Sequence, residues 1–213
     1  MRSIGRRYLN NLSLKRQFSS GAAGKRSSKK DFEYCVDLVQ NRDREGYLCG
    51  LLMPHTSRRS YFAIRALNVE LASVKDGSVS RKVGGAQRDE SGASIALKIR
   101  FQWWQDALNQ VYGDENEVQK HQTGFAADMA NSCWNNPIVR VLNDAVEESN
   151  LTRRFLERLL DAREADLDIQ QAETMDDAIT YAENIFSSLL YLSLETTNVS
   201  HVLSNITFGK DFG

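Results

Sequence analysis

Residues 161–168, "DAREADLD", carry acids at Asp161, Glu164 and Asp168, close to the spacing that gathers side chains on one helix face. Magnesium takes one or two such carboxylates and leaves its other positions to phosphate and water. A phosphate-handling metal site is therefore one reading of this segment. A solvated helix face is the plainer one, since exposed acids seldom act as ligands and Arg163 stands among these three. A second stretch, "FAIRALNVELASVKD" over residues 62–76, has a helical frame but few carboxylates, only Glu70 and Asp76.

Little else offers chemistry. Cys35, Cys49 and Cys133 have neither CxxC spacing nor nearby histidines, so no zinc site or disulfide framework is indicated. His55, His121 and His201 are isolated, as surface or turn residues are. There is no GxSxG elbow, P-loop or glycine fingerprint.

Helices must position whatever chemistry exists. Helix-period patterns dominate a chain with two prolines, Pro54 and Pro137, and strand-like alternation is nowhere sustained. The patterns predict helices near 32–43, 57–76, 94–112, 137–149, 152–168 and 175–197, an all-α class. Thr56 or Ser57 is expected to cap the second, and Thr174 with Asp177 the sixth. In the third, Trp104, Leu108 and Tyr112 form a stripe suited to core packing, with Gly113 as its stop. The fifth sets Leu151, Phe155, Leu159 and Ala162 on one face; the sixth sets Ala182, Ile185, Phe186, Leu189 and Leu190 on another. Residues 77–93 and 113–136 read as polar connections, long for a compact domain.

Length and charge bound the function. The 213 residues suit one domain plus a tail, and the formal net charge is -1. Residues 1–30 carry nine Lys/Arg and no acid. Without Arg2, Arg6, Arg7, Lys15 and Arg16, the 27 basic side chains fall to 22 against 28 acidic. Such an acidic body argues against nucleic-acid binding through phosphate neutralisation. The Arg- and Ser-rich leader fits a mitochondrial transit peptide, with "RQFSS" suggesting cleavage after Phe18; a disordered basic tail is the alternative. No apolar run has the length to span a bilayer.

Five segments in order, "GYLCGLLMPHTSRRSYFAIRALNVELASVKD", "ALKIRFQWWQDALNQVYG", "NPIVRVLNDAV", "RRFLERLLDAREADL" and "YAENIFSSLLYLSLE", resemble the squalene/phytoene synthase family. The resemblance covers about residues 32–198 and is strongest to a mitochondrial branch concerned with respiratory complex I assembly. It implies part of an isoprenoid-synthase-type helical bundle, with 1–30 as leader, 31–198 as the N-terminal part of the helical domain and 199–213 as a divergent tail. Active members of the family hold two prenyl diphosphates through magnesium on two DxxxD segments. Carboxylates at i and i+4 share a helix face and so converge on one ion cluster.

Aligned without gaps from "LMP" and Arg58, Ala72 and Asp76 take the two aspartate positions of the first segment. Anchoring on Arg65 gives Asn68 and Ala72 instead. Neither register keeps both acids, and Glu70 is displaced by about 200° from Ala72 around the helix. The second DxxxD segment is expected beyond the sixth helix, where this chain has already stopped. The resemblance thus implies a catalytically silent member with no catalytic, cofactor or metal residues. Its implied partners are complex I subunits or other assembly factors, with peripheral contact to the matrix face of the inner membrane. An active magnesium-dependent prenyltransferase using Glu70, Asp76 and the 161–168 acids is the competing reading.

Overall fold

The computed structural model describes residues 26–82, 90–113, 132–167 and 172–197, with side chains over 26–74, 95–113, 132–167 and 172–197. Among them there is no strand. The elements are α1 (Lys29–Arg42), α2 (Arg44–Leu52), α3 (His55–Lys82), α4 (Glu90–Tyr112), a 3-10 turn (Cys133–Asn135), α5 (Pro137–Ser149), α6 (Arg153–Ala165), α7 (Met175–Ala182), a π-helical turn (Glu183–Ser187) and α8 (Ser188–Thr196). The all-α expectation holds.

The chain is already packed at its first described residues. Arg26 pairs with Glu147 of α5 at 2.8 Å, and the Ser27 backbone N–H donates to Asp144 at 3.2 Å. Ser28 and Asp31 then form a reciprocal capping box that starts α1. Asp31 also accepts from Arg140 of α5, through Nε at 3.0 Å and through Nη2, which ties α1 to a helix far along the chain. That guanidinium holds the Asp31 carboxyl down at about 2; burial opposes the shift, and the Ser28 hydrogen bonds reinforce it.

The helix-period pattern predicts no helix over α2, and its glycines explain why. Gly46 and Gly50 weaken a helix taken alone. In the fold they act as contact points: a Cβ on Gly50 would stand 2.5 Å from Cζ of Phe62. The bare backbone lets α2 lie against α3, where the Phe62 ring meets those of Tyr47, Tyr61 and Phe32 at centroid distances of 6.0, 5.8 and 6.2 Å. Arg58 closes the C-terminus of α2 by donating to the carbonyls of Leu51 and Met53 at 2.9 and 3.1 Å.

Helix α3 is the centre of the bundle and touches α1, α2, α4, α5, α6 and α8. From Tyr61 to Val74 it is apolar on nearly every side, with Phe62, Ile64, Leu67 and Leu71 fully buried. It begins at His55, with the Pro54 carbonyl accepting from the backbone N–H groups of Ser57 and Arg58. Thr56 and Ser57 therefore lie inside the first turn and are not its cap. At its other end α3 runs to Lys82, beyond the expected stop near 76. One glycine, Gly77, costs a helix about 1 kcal/mol, too little to end it. Residues 83–89 lie outside the described residues, as do 114–131 of the second long connection.

The remaining helices follow their patterns more closely. Trp104, Leu108 and Tyr112 are buried, and Gly113 ends α4 with φ 69°. The Tyr112 hydroxyl donates to the Leu151 carbonyl at 2.8 Å, joining α4 to the start of α6. Helix α5 opens with Pro137 behind an Asn136 cap and buries most of its length, ending at Asn150 in the left-handed region. In α6 the buried residues are Leu156, Leu159 and Leu160. Thr174 and Asp177 do form the capping box of α7. The wide stripe expected after it is only half used. Ile185 and Leu189 are buried together with Leu192, whereas Phe186 and Leu190 face outward. Helices α3, α5 and α6 pack on α8, and Leu190 stays exposed.

Candidate functional site

The α3 face singled out by the resemblance carries Asn68 and Ala72, four residues apart, and continues through the backbone of Asp76. Asp76 lies on α3 with its side chain outside the described set. Opposite Asn68 stands Arg163 of α6, delivered there because Leu156, Leu159 and Leu160 bury the inner side of that helix. Arg163 Nη2 donates to Asn68 Oδ1 at 3.1 Å, and Nη1 donates to the Tyr181 hydroxyl of α7 at 2.9 Å. The Tyr181 hydroxyl donates in turn to Asp166 Oδ2 at 3.4 Å. Burial pushes the Tyr181 phenol above its usual range, Arg163 draws it down and Asp166 raises it again. Three helices thus meet at one guanidinium. Its Nε is buried with no hydrogen-bond partner among the described residues.

A magnesium cluster needs converging carboxylate oxygens. At this face one position offers a neutral amide whose oxygen already accepts from a fixed cation. The next, Ala72, is common to both alignment registers and offers a methyl group. These two residues do not fit a magnesium ion, and the guanidinium beside them repels one. Glu70 is turned away, paired with Arg100 of α4 at 3.2 Å, which agrees with its angular displacement on the helix. The described acids of 161–167 belong to no metal-holding group among the described residues. Asp161 is exposed, its carboxyl raised by partial desolvation and then by Glu157. Arg163 between them reaches inward, and Asp168 lies outside the described residues. Among the described residues no three His, Cys, Asp or Glu side chains form a group able to hold a metal.

Arg163 and Tyr181 are the site residues that sequence reasoning missed. Arg163 was visible only as a basic interruption in an acidic run. Its contact with Asn68 spans 95 positions, which no local pattern reports. A separate cleft of about 320 Å³ opens at the start of α3, lined by Phe32, His55, Thr56, Arg58, Arg59 and Glu148. It lies about 20 Å along the helix from Asn68. Its two guanidiniums are already engaged, Arg58 with α2 carbonyls and Arg59 with Asp144 at 3.3 Å.

Comparison with known proteins accords with this architecture. The sequence model described as squalene/phytoene synthase matches residues 39–213. A protein of Homo sapiens named NADH dehydrogenase (ubiquinone) complex I, assembly factor 6 is 40% identical over 166 residues, 78% of this chain and 41% of its own length. Its Bos taurus counterpart is 39% identical over the same shares of each chain. A homolog in Drosophila melanogaster is 32% identical over 179 residues, 82% of this chain and 46% of its own. The chain therefore spans less than half the length of these curated relatives. No solved structure matches it. With a family match reaching from residue 39 to residue 213, and relatives near 40% identity over more than three quarters of its length, the chain belongs to the squalene/phytoene synthase family.

Proposed function

We propose that this protein acts in mitochondria in the assembly of respiratory complex I, as a binding member of its family that condenses no prenyl diphosphates. The observation carrying this reading is the Arg163 guanidinium on Asn68, next to the methyl of Ala72. A diphosphate bridged by divalent ions needs anionic side chains to balance the metal charge, and this face supplies a cation instead. The relatives from Homo sapiens, Bos taurus and Drosophila melanogaster, whose names describe complex I assembly, support the cellular role.

The acid-free basic leader supports import, and the partners we assign are complex I subunits or other assembly factors. We place the protein on the matrix side of the inner membrane, in peripheral contact. Among the described residues no helix is long and apolar enough to cross a membrane.

The test has two arms. Cells lacking the protein should lose assembled complex I on native gels and regain it with the full chain. They should regain it equally with a variant carrying Glu70→Ala and Asp76→Ala. Unchanged complex I in the deficient cells would refute the assembly role. Magnesium-dependent release of diphosphate from prenyl diphosphates, abolished by Asp76→Ala, would refute the silent site.

A further inference from the structure

Arg58 and Arg59 line the cleft at the start of α3, and each is anchored there through Nη2 alone. Arg58 Nη2 donates to the Leu51 and Met53 carbonyls at 2.9 and 3.1 Å. Arg59 Nη2 reaches Ser27 and, at 3.3 Å, Asp144. The Nε of both is buried without a hydrogen-bond partner, and neither Nη1 makes a hydrogen bond among the described residues. Guanidinium N–H groups left unpaired beside a cleft call for a water or an anion, and their planar fork matches phosphate oxygens. The first turn of α3 adds donors. Pro54, which precedes it, has no side-chain acceptor, and the His55 and Thr56 N–H groups have no partner among the described residues.

Glu148 gives the cleft a second sign. It is exposed, forms no ion pair among the described residues and lines the same space of about 320 Å³. Asp144 offsets Arg59, which leaves Arg58 and Glu148 as the unbalanced charges of the lining. A lone phosphate meets repulsion from Glu148; a phosphate ester that also carries an ammonium group satisfies both.

An apolar corner adjoins this mouth. Leu48 and Leu51 share a face of α2 and are 51% and 45% exposed, while Leu52 at its end is 87% exposed. His55 follows Leu52 by three residues, so corner and mouth stand within about 10 Å of each other. A side chain as exposed as Leu52 projects from the surface. A fluid lipid layer closes around a projection, whereas a partner helix needs a groove to lie in. The exposed charges nearest in the chain, Arg42 and Arg44 against Asp37 and Glu45, balance, so an electroneutral headgroup layer meets no opposition. We propose that cleft and corner together form a site for an ethanolamine phospholipid. Arg58 and the first turn of α3 take its phosphate, Glu148 takes its ammonium, and Leu48, Leu51 and Leu52 enter the acyl region. This inference rests on the peripheral membrane contact proposed above.

The test uses the full chain and vesicles without net charge, so that the basic residues 1–25 meet no anionic surface. Vesicles of phosphatidylcholine with phosphatidylethanolamine should bind several-fold tighter than phosphatidylcholine alone. A polarity-sensitive dye on the exposed Cys49, next to Leu48, should shift to the blue on binding. Leu52→Ser should weaken binding about tenfold, as loss of one buried leucine does. Thr56→Glu should weaken it as well. Its melting temperature should hold or rise, because a carboxylate in the first turn favours a helix. Glu148→Gln should remove only the preference for phosphatidylethanolamine.

Equal binding of both vesicles by the unmodified protein, an unshifted dye, or binding that survives Leu52→Ser and Thr56→Glu would overturn the proposal. So would soluble phosphoethanolamine binding as tightly as the vesicles, which would mean a free phosphate ester, or a dimer that Leu52→Ser dissociates. Fractionation of mitochondria separates this site from the wider reading. Unmodified protein found free in the matrix sinks the membrane placement. Protein that pellets with the inner membrane equally with and without Leu52→Ser sinks this site alone.

Discussion

Arg163 of α6 donates to the side-chain oxygen of Asn68 on α3 at 3.1 Å, bringing a cation to the helix face that also carries Ala72. The contact is structural as well as electrostatic, because the same guanidinium holds Tyr181 of α7. Arg163→Ala should leave the Asn68 oxygen and the Tyr181 hydroxyl short of partners and lower stability by about 1–3 kcal/mol in urea denaturation. An unchanged midpoint would show that the junction contributes nothing.

Metal independence should be visible without any substrate. Magnesium at millimolar concentration should leave the melting temperature of the full chain where it is, since a ligand stabilises only a state that binds it. Asn68→Asp should change this little, because the new carboxylate meets Arg163 first. A magnesium-dependent rise in melting temperature of the unmodified protein would count against the proposed silent site.

Acid should weaken the clamp between α1 and α5. Asp31 titrates at about 2 in the fold against an ordinary 3.8. A lowered folded value means the stabilisation is fully present above 3.8 and drains away as pH falls through about 2. The shift corresponds to about 2 kcal/mol. Unfolding free energy measured from pH 5 down to 2 should fall more steeply for the unmodified protein than for Asp31→Asn. Parallel curves would mean that the Arg140 pair carries no pH-dependent stability.

Gly50 is a contact glycine, so a single methyl there should be felt. Its Cβ would stand 2.5 Å from the Phe62 ring, which is packed on several sides. Gly50→Ala should cost about 1–3 kcal/mol through overpacking, even though alanine favours helix more than glycine does. A more stable Gly50→Ala protein would mean that helix propensity outweighs the contact.

Thiol reactivity should sort by burial. Cys49 is exposed, while Cys35 is buried and burial pushes its thiol up to about 12. Iodoacetamide at mildly alkaline pH should modify Cys49 quickly and Cys35 only after unfolding, as mass spectrometry of the digested protein would report. Equal rates would contradict the packing of α1 against α3.

Much of this molecule was legible before any coordinates. Helix stops and starts that depend on neighbouring residues were readable, as at Gly113 and at the Thr174–Asp177 box. So was the buried stripe of Trp104, Leu108 and Tyr112, because a helix repeats its facing every 3.6 residues. The displacement of Glu70 from Ala72 needed only that same geometry, whereas the acid expected at Ala72 was implied by the family resemblance. What stayed hidden depends on partners distant in the chain. Gly46 and Gly50 look like helix breakers until Phe62 and Arg65 arrive beside them.

By itself, then, the sequence determined the helical class, the main apolar stripes and the poverty of carboxylate on the α3 face, all consequences of local periodicity and residue type. Only the tertiary structure decided that Arg163 would stand on Asn68, and that Phe186 and Leu190 would be left outside while Leu189 and Leu192 went in. A helix pattern states which side chains share a face; which face is covered depends on how whole helices meet across long stretches of chain.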